Sequence, residues 1–119
     1  TGEPSWFFEV TSDCEGRSDR LRRCERLYGF SAAPLTVDGA VITAGLDGRL
    51  FVFDAESGDT LFKFDTAVDF ETINGVEGYG GSIDSHAIAA GSGMVFIGSG
   101  YGAFSQVSGN VLLALRPAE

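Results

Sequence analysis

Residues 66–85 read TAVDFETINGVEGYGGSIDS, a stretch that gathers oxygen-bearing side chains with glycines. Asp69, Glu71, Asn74 and Asp84 lie within the stretch, and the only histidine, His86, follows it. Oxygen-rich loops suit a hard cation such as calcium. Asp and Asn are equally the usual turn formers, so both readings stand. Glycines at 75, 78, 80 and 81 permit a backbone to approach a flat ligand closely, or simply to turn tightly. Asn74, Gly80, Gly81, Ser82 and Asp84 are the expected cofactor contacts, while no position is singled out as catalytic or as a metal ligand. His86 reads as a hydrogen-bonded residue at a strand start.

Other candidates are weaker. GSGYG at 98–102 has the look of a phosphate loop, but no helical pattern follows to supply the N-terminal amides that bind phosphate. Tyr79, Tyr101 and Phe104 offer rings for stacking on a ligand or for local packing. One histidine and no G-x-S-x-G leave a nucleophilic triad without support.

Cys14 and Cys24 are the only cysteines. Their spacing fits neither a zinc knuckle nor a CxxC pair, and no CxxCH haem motif exists. The best reading is a local disulfide, the alternative two buried thiols. A bridge would place the protein in an oxidising compartment, periplasmic or secreted. Between and beside them sit Arg17, Arg20, Arg22, Arg23 and Arg26, five of the eight basic residues. They read as a solvated loop or short helix, or as a surface for an anionic partner. The net charge of −9 disfavours nucleic acid as a partner. No apolar run approaches the ~18 residues of a membrane span.

The elements that must position these residues are strands. SAAPLTV, AVITAG, RLFVFD and TLFKFDT are separated by Asp-Gly and Ser-Gly turns, the pattern of a four-stranded antiparallel meander. HAIAAG, MVFIGS and NVLLALR begin a second meander that stops one strand short. TGEPSWFFEV repeats the phase of SGDTLF, with Trp6 in the place of Phe62, and so reads as an outer strand. The expected organisation is therefore a partial propeller: residues 1–10 an outer strand of a preceding or shared blade, 11–30 a loop with the disulfide, 31–65 a complete blade, 66–85 a long loop, and 86–119 a blade lacking its outer strand. A repeat of about 55–60 residues fits propeller blades, and a self-contained sandwich would have no reason to keep that phase. Two such blades leave two apolar faces for remaining blades, from the same chain or from other copies. Connections at 11–30, 66–85 and 99–109 are long and fall at one end of the strands. That end is the candidate functional face.

VFDAESGDTLF is similar to the tryptophan-docking repeat of quinoprotein propellers, with Val52 in place of its alanine and Phe62 in place of its tryptophan. FSAAPLTVDGAVITAGLDGRLFVFDAESGDTLFKFDT, DFETINGVEGYGGSID and SGYGAFSQVSGNVLLAL resemble the C-terminal part of polyvinyl-alcohol-dehydrogenase-like quinoproteins. The resemblance implies an all-β, eight-bladed propeller that binds pyrroloquinoline quinone (PQQ) and calcium, oxidises an alcohol, polymeric in some cases, and passes electrons to a cytochrome c-type acceptor. It implies an oxidoreductase that is not active as this portion alone. The alternative is a non-catalytic propeller that binds protein or polysaccharide.

Overall fold

The computed structural model describes residues 2–102 and 106–117, and all regular structure among them is β. Strands β1 (Leu35–Val37), β2 (Ala40–Ala44), β3 (Arg49–Asp54) and β4 (Thr60–Asp65) form one sheet in sequential order. A two-stranded ribbon, β5 (Asp69–Glu71) and β6 (Glu77–Tyr79), follows. Strands β7 (Ile88–Gly91), β8 (Met94–Ser99) and β9 (Val111–Leu115) make a third sheet, and all pairings are antiparallel.

The tight turns follow from local chemistry. Asp38 and Gly39 both have positive φ (40° and 79°), as do Ser92 and Gly93 (53° and 74°). Two consecutive left-handed residues give the primed turn whose twist matches that of the flanking strands. At the β3–β4 turn Asp54 accepts from the backbone N–H groups of Glu56 and Ser57, both at 2.9 Å. These bonds hold its carboxyl below the usual carboxylate range.

Period-two alternation gives each sheet two distinct faces. One face of the first sheet presents Ile42, Ala44, Leu50 and Val52, which pack with Ile97, Leu113 and Leu115 of the third sheet and with Ile83 and Ile88. Ile83, Ile97 and Leu50 are essentially sealed from water, and each such side chain contributes about 1.5–3 kcal/mol of transfer free energy. The opposite face presents Phe51 and Phe53, covered by Phe8 and Phe30 with ring centroids 4.8–6.3 Å apart. Two antiparallel meanders packed face to face, each face continuing the stack, are those of a partial β-propeller.

Residues 2–10 join no ladder among the described residues, because no strand lies along them. Their side chains are nonetheless anchored. The indole N–H of Trp6 donates to the Ala55 carbonyl at 2.9 Å, and its ring lies flush on Gly58. A Cβ at Gly58 would sit 2.6 Å from that ring, and its φ of 80° also favours glycine. Trp6 thus holds the β3–β4 turn of the first sheet. Trp6→Phe is expected to lose about 0.5–1.5 kcal/mol, the net worth of one hydrogen bond, read as a lowered urea midpoint. An unchanged midpoint would show that the N–H bond adds nothing.

Two sequence expectations change. The stretch 66–85, expected to be a loop, contains the β5–β6 ribbon, whose signal was the Asn74-Gly75 dipeptide at its tip. The first strand is also shorter than SAAPLTV: Phe30 and Ala32 make only isolated bridges to Gly45 and Ser85 before β1 begins.

Candidate functional site

The long connections meet at one end of the sheets, and a clamp built on buried charge holds them. The β2–β3 turn places Asp47 wholly out of water. Its Oδ2 accepts from Arg17 at 2.9 Å and from Arg49 Nε at 2.7 Å, while Oδ1 accepts from the Arg49 backbone N–H at 3.2 Å. Arg17 also donates to both oxygens of Asp65, at 3.0 and 2.7 Å, and to the carbonyls of Asp13 and Asp47. Burial works against the Arg17 charge, but the hydrogen bond and charge of Asp65, and then those of Asp47, outweigh it and raise its pKa. Arg49 reaches back to the Thr11 carbonyl at 2.6 Å.

Arg20 fastens the other two connections. It donates to the carbonyls of Gly80 (2.7 Å) and Ser108 (3.3 Å) and lies over the Tyr79 ring at 4.7 Å. The Cys14–Cys24 disulfide, with Cα atoms 5.6 Å apart, closes the loop that carries both arginines. The basic stretch is therefore divided. Arg17 and Arg20 turn inward because desolvated carboxylates and free carbonyls await them, and Arg22, Arg23 and Arg26 stay exposed.

The five expected cofactor contacts do not gather in one concavity. Asn74 is exposed at the ribbon tip, where its Oδ1 accepts from the Thr72 hydroxyl at 2.8 Å. Gly80 and Gly81 are buried against protein backbone: a methyl on Gly80 would coincide with the Thr66 carbonyl oxygen, and one on Gly81 would strike that of Val107. Ser82, also buried, donates to the Leu46 carbonyl and accepts from the Val107 N–H at 2.9 Å. Beneath them Thr66 donates to the Gly48 carbonyl at 2.6 Å and pairs with the Ser99 hydroxyl at 2.8 Å. Gly80→Ala is expected to cost at least about 1–3 kcal/mol through overpacking, measured by chemical denaturation. A neutral result would mean that the connection shifts freely.

Asp84 is the half-buried member of the set. It stands where the connection enters the β7 region, beside Ser85 (φ 55°) and exposed His86. Its Oδ1 accepts from the Ser31 hydroxyl and from the Ser85 N–H (2.8 Å), and Oδ2 from the Gln106 amide (2.8 Å). The Ser31 bond first, then that of Gln106, holds its carboxyl below the usual range against a small opposing desolvation. A carboxylate so held acts as a fixed negative acceptor rather than as a base near neutral pH. Among the described residues no group of three or more His, Cys, Asp or Glu side chains could hold a metal ion. Tyr101 is exposed at the same end, and Phe104 lies outside the described residues. Ser31, Gln106 and Asp65 carried no sequence signal, because their partners lie 22–53 residues away, and the Arg17 partner of Asp47 lies 30 residues away.

The comparison with known proteins follows the same pattern. A polyvinylalcohol dehydrogenase of Sphingopyxis sp. (strain 113P3) is 31% identical over 110 residues, 92% of this chain. The chain is similar to polyvinylalcohol dehydrogenases. A second, from Pseudomonas sp., is 31% identical over 93 residues, 71% of this chain. The chain spans only 16% and 15% of the lengths of these two relatives. No family model and no solved structure matches it. A match over 110 of the 119 residues leaves few residues outside it. Among the described residues no helix is long and apolar enough to cross a membrane.

Proposed function

We propose that these residues are two blades of a quinoprotein-type dehydrogenase propeller and that their long-loop end forms part of the rim around its catalytic centre. The similarity to polyvinylalcohol dehydrogenases across 92% of the chain carries this reading. The reaction it implies is oxidation of an alcohol, polymeric in the named relatives, with electrons passed to an external acceptor such as a cytochrome c. The cofactors implied are PQQ and calcium.

The expected contact positions do not form a cradle for PQQ by themselves. A flat tricarboxylate needs an open slot and free cations, whereas Gly80 and Gly81 are filled by neighbouring backbone, and the adjacent Arg17 and Arg49 are committed to internal carboxylates. No reaction step is therefore assigned to this chain. Of the expected contacts, Asp84 remains the one offered to a ligand at the rim, as a fixed anionic acceptor. Asn74 would reach only a ligand at the ribbon tip. The disulfide supports a periplasmic or secreted setting.

The test is dye reduction by the complete propeller that contains these blades, reconstituted with PQQ and calcium and offered simple and polymeric alcohols. Activity that requires both additions is expected. Failure of every alcohol to reduce the dye would sink the dehydrogenase reading. Retention of polysaccharide or protein in the same preparation would then favour the scaffold reading.

A further inference from the structure

Asn74 stands at the tip of the β5–β6 ribbon with a glycine after it, and Ile73 and Val76 beside the pair are exposed. Residues 72–75 form a turn in which the Gly75 N–H donates to the Thr72 carbonyl at 3.2 Å and Gly75 has a φ of 75°. A Cβ placed on Gly75 would meet nothing within 4 Å, so no neighbour crowds this residue. The Asn74 Oδ1 accepts from the Thr72 hydroxyl at 2.8 Å and, more loosely, from the Val76 N–H at 3.4 Å. The Thr72 hydroxyl also lies against the Val76 carbonyl, so its proton is shared between the two acceptors. Among the described residues the Asn74 amide nitrogen donates to nothing.

These are the parts of an intramolecular acyl transfer. The Asn74 Cγ and the Gly75 nitrogen are ends of a five-membered ring, so attack of one on the other has the advantage of proximity. Hydrogen-bond donors already sit on the carbonyl oxygen that becomes negative as the nitrogen adds. The departing amide nitrogen is held by nothing, and the residue that attacks has no side chain to hinder it. Asn110, the only other asparagine, is fixed at both ends. Its Oδ1 accepts from the Tyr79 N–H at 2.9 Å, and its amide donates to the Glu77 carbonyl at 3.0 Å. The residue after it is Val111, β-branched and buried.

We propose that this turn makes Asn74 a site of spontaneous modification, at which the side chain loses its amide through a cyclic imide with Gly75, assisted by the Thr72 hydroxyl. The Gly75 nitrogen bonds to the Asn74 Cγ and gives up its proton. The Cγ–Nδ2 bond breaks, and ammonia leaves with that proton. Water then opens the imide. Opening at Cγ gives an aspartate, and opening at the main-chain carbonyl gives an isoaspartate. No electrons are transferred, and water is the only co-reactant. Either product adds a carboxylate near Glu71 and Glu77, which already oppose each other across the ribbon. Like charges so placed destabilise a strand pair, and isoaspartate also lengthens the backbone of the turn by one carbon. The modification therefore loosens the ribbon tip. It stands independently of the dehydrogenase reading, and neither test decides the other.

The test incubates the complete propeller that contains these blades in warm, mildly alkaline buffer and follows both asparagines by peptide mass spectrometry. Asn74 is expected to convert at least about tenfold faster than Asn110, a modest difference in barrier height. Aspartate and isoaspartate should both appear at that position. Thr72→Val keeps the shape of the side chain, removes the donor and should slow conversion by about fivefold, the kinetic worth of one hydrogen bond. Thr72→Ser should restore the rate. Equal conversion of the two asparagines overturns the proposal. So does aspartate without isoaspartate, which direct hydrolysis of the side chain would give, or a rate that Thr72→Val leaves unchanged.

Discussion

Asp47→Ala is expected to destabilise the chain by about 3–5 kcal/mol, the usual consequence of removing one partner from a buried ionic network. The carboxylate is fully buried, and its loss would strand two guanidinium groups whose side chains are each only 7% exposed. Arg17 would keep Asp65, but Arg49 would keep only the Thr11 carbonyl and its contact with Phe51. Against the 5–15 kcal/mol of an ordinary domain, this loss is large enough to populate the unfolded state in mild urea. Equilibrium denaturation checks it. A loss below about 1 kcal/mol would mean that water reaches the network and that it behaves as a surface pair.

Removing the bridge by the double substitution Cys14→Ser and Cys24→Ser is expected to cost about 2.5–3 kcal/mol, from the entropy of an open ten-residue loop in the unfolded chain. A second effect should accompany it, because Arg17 and Arg20 both lie inside the loop and fasten Asp47, Asp65, Gly80 and Ser108. The backbone N–H groups of Gly80 and Ser82 donate to Val68 and Val107 and sit behind that clamp. Their hydrogen exchange should accelerate more than that of Phe51 or Val52 in β3. Uniform acceleration would assign the whole effect to the unfolded state and none to the clamp.

The two variants bear on the functional reading in the same way. Both loosen the long-loop end without touching Asp84, whose partners Ser31, Ser85 and Gln106 lie outside the disulfide loop. In the complete propeller, a rim role for this end requires either change to impair a reaction that it does not perform. A propeller that keeps full turnover with the clamp open would place the centre away from these connections.

What the sequence by itself determined is local and periodic. Alternation of apolar residues, with Asp-Gly and Ser-Gly between them, specified the strands β2, β3, β4 and β8 nearly to the residue, because side-chain period and turn φ are properties of neighbours. The spacing of Cys14 and Cys24 favoured a local bridge over two buried thiols, and the structure forms it, while the phase shared by Trp6 and Phe62 favoured a propeller over a sandwich. Tertiary structure alone decided which charges are free. Nothing near Arg17 or Arg20 in sequence distinguishes them from Arg22, Arg23 and Arg26, and only the arrival of Asp47, Asp65 and the Gly80 carbonyl from 30–60 residues away turns two of the five inward. The glycines at 80 and 81 likewise could have faced a ligand or a backbone. The answer depended on where Thr66 and Val107 came to rest, a long-range contact that no local pattern encodes.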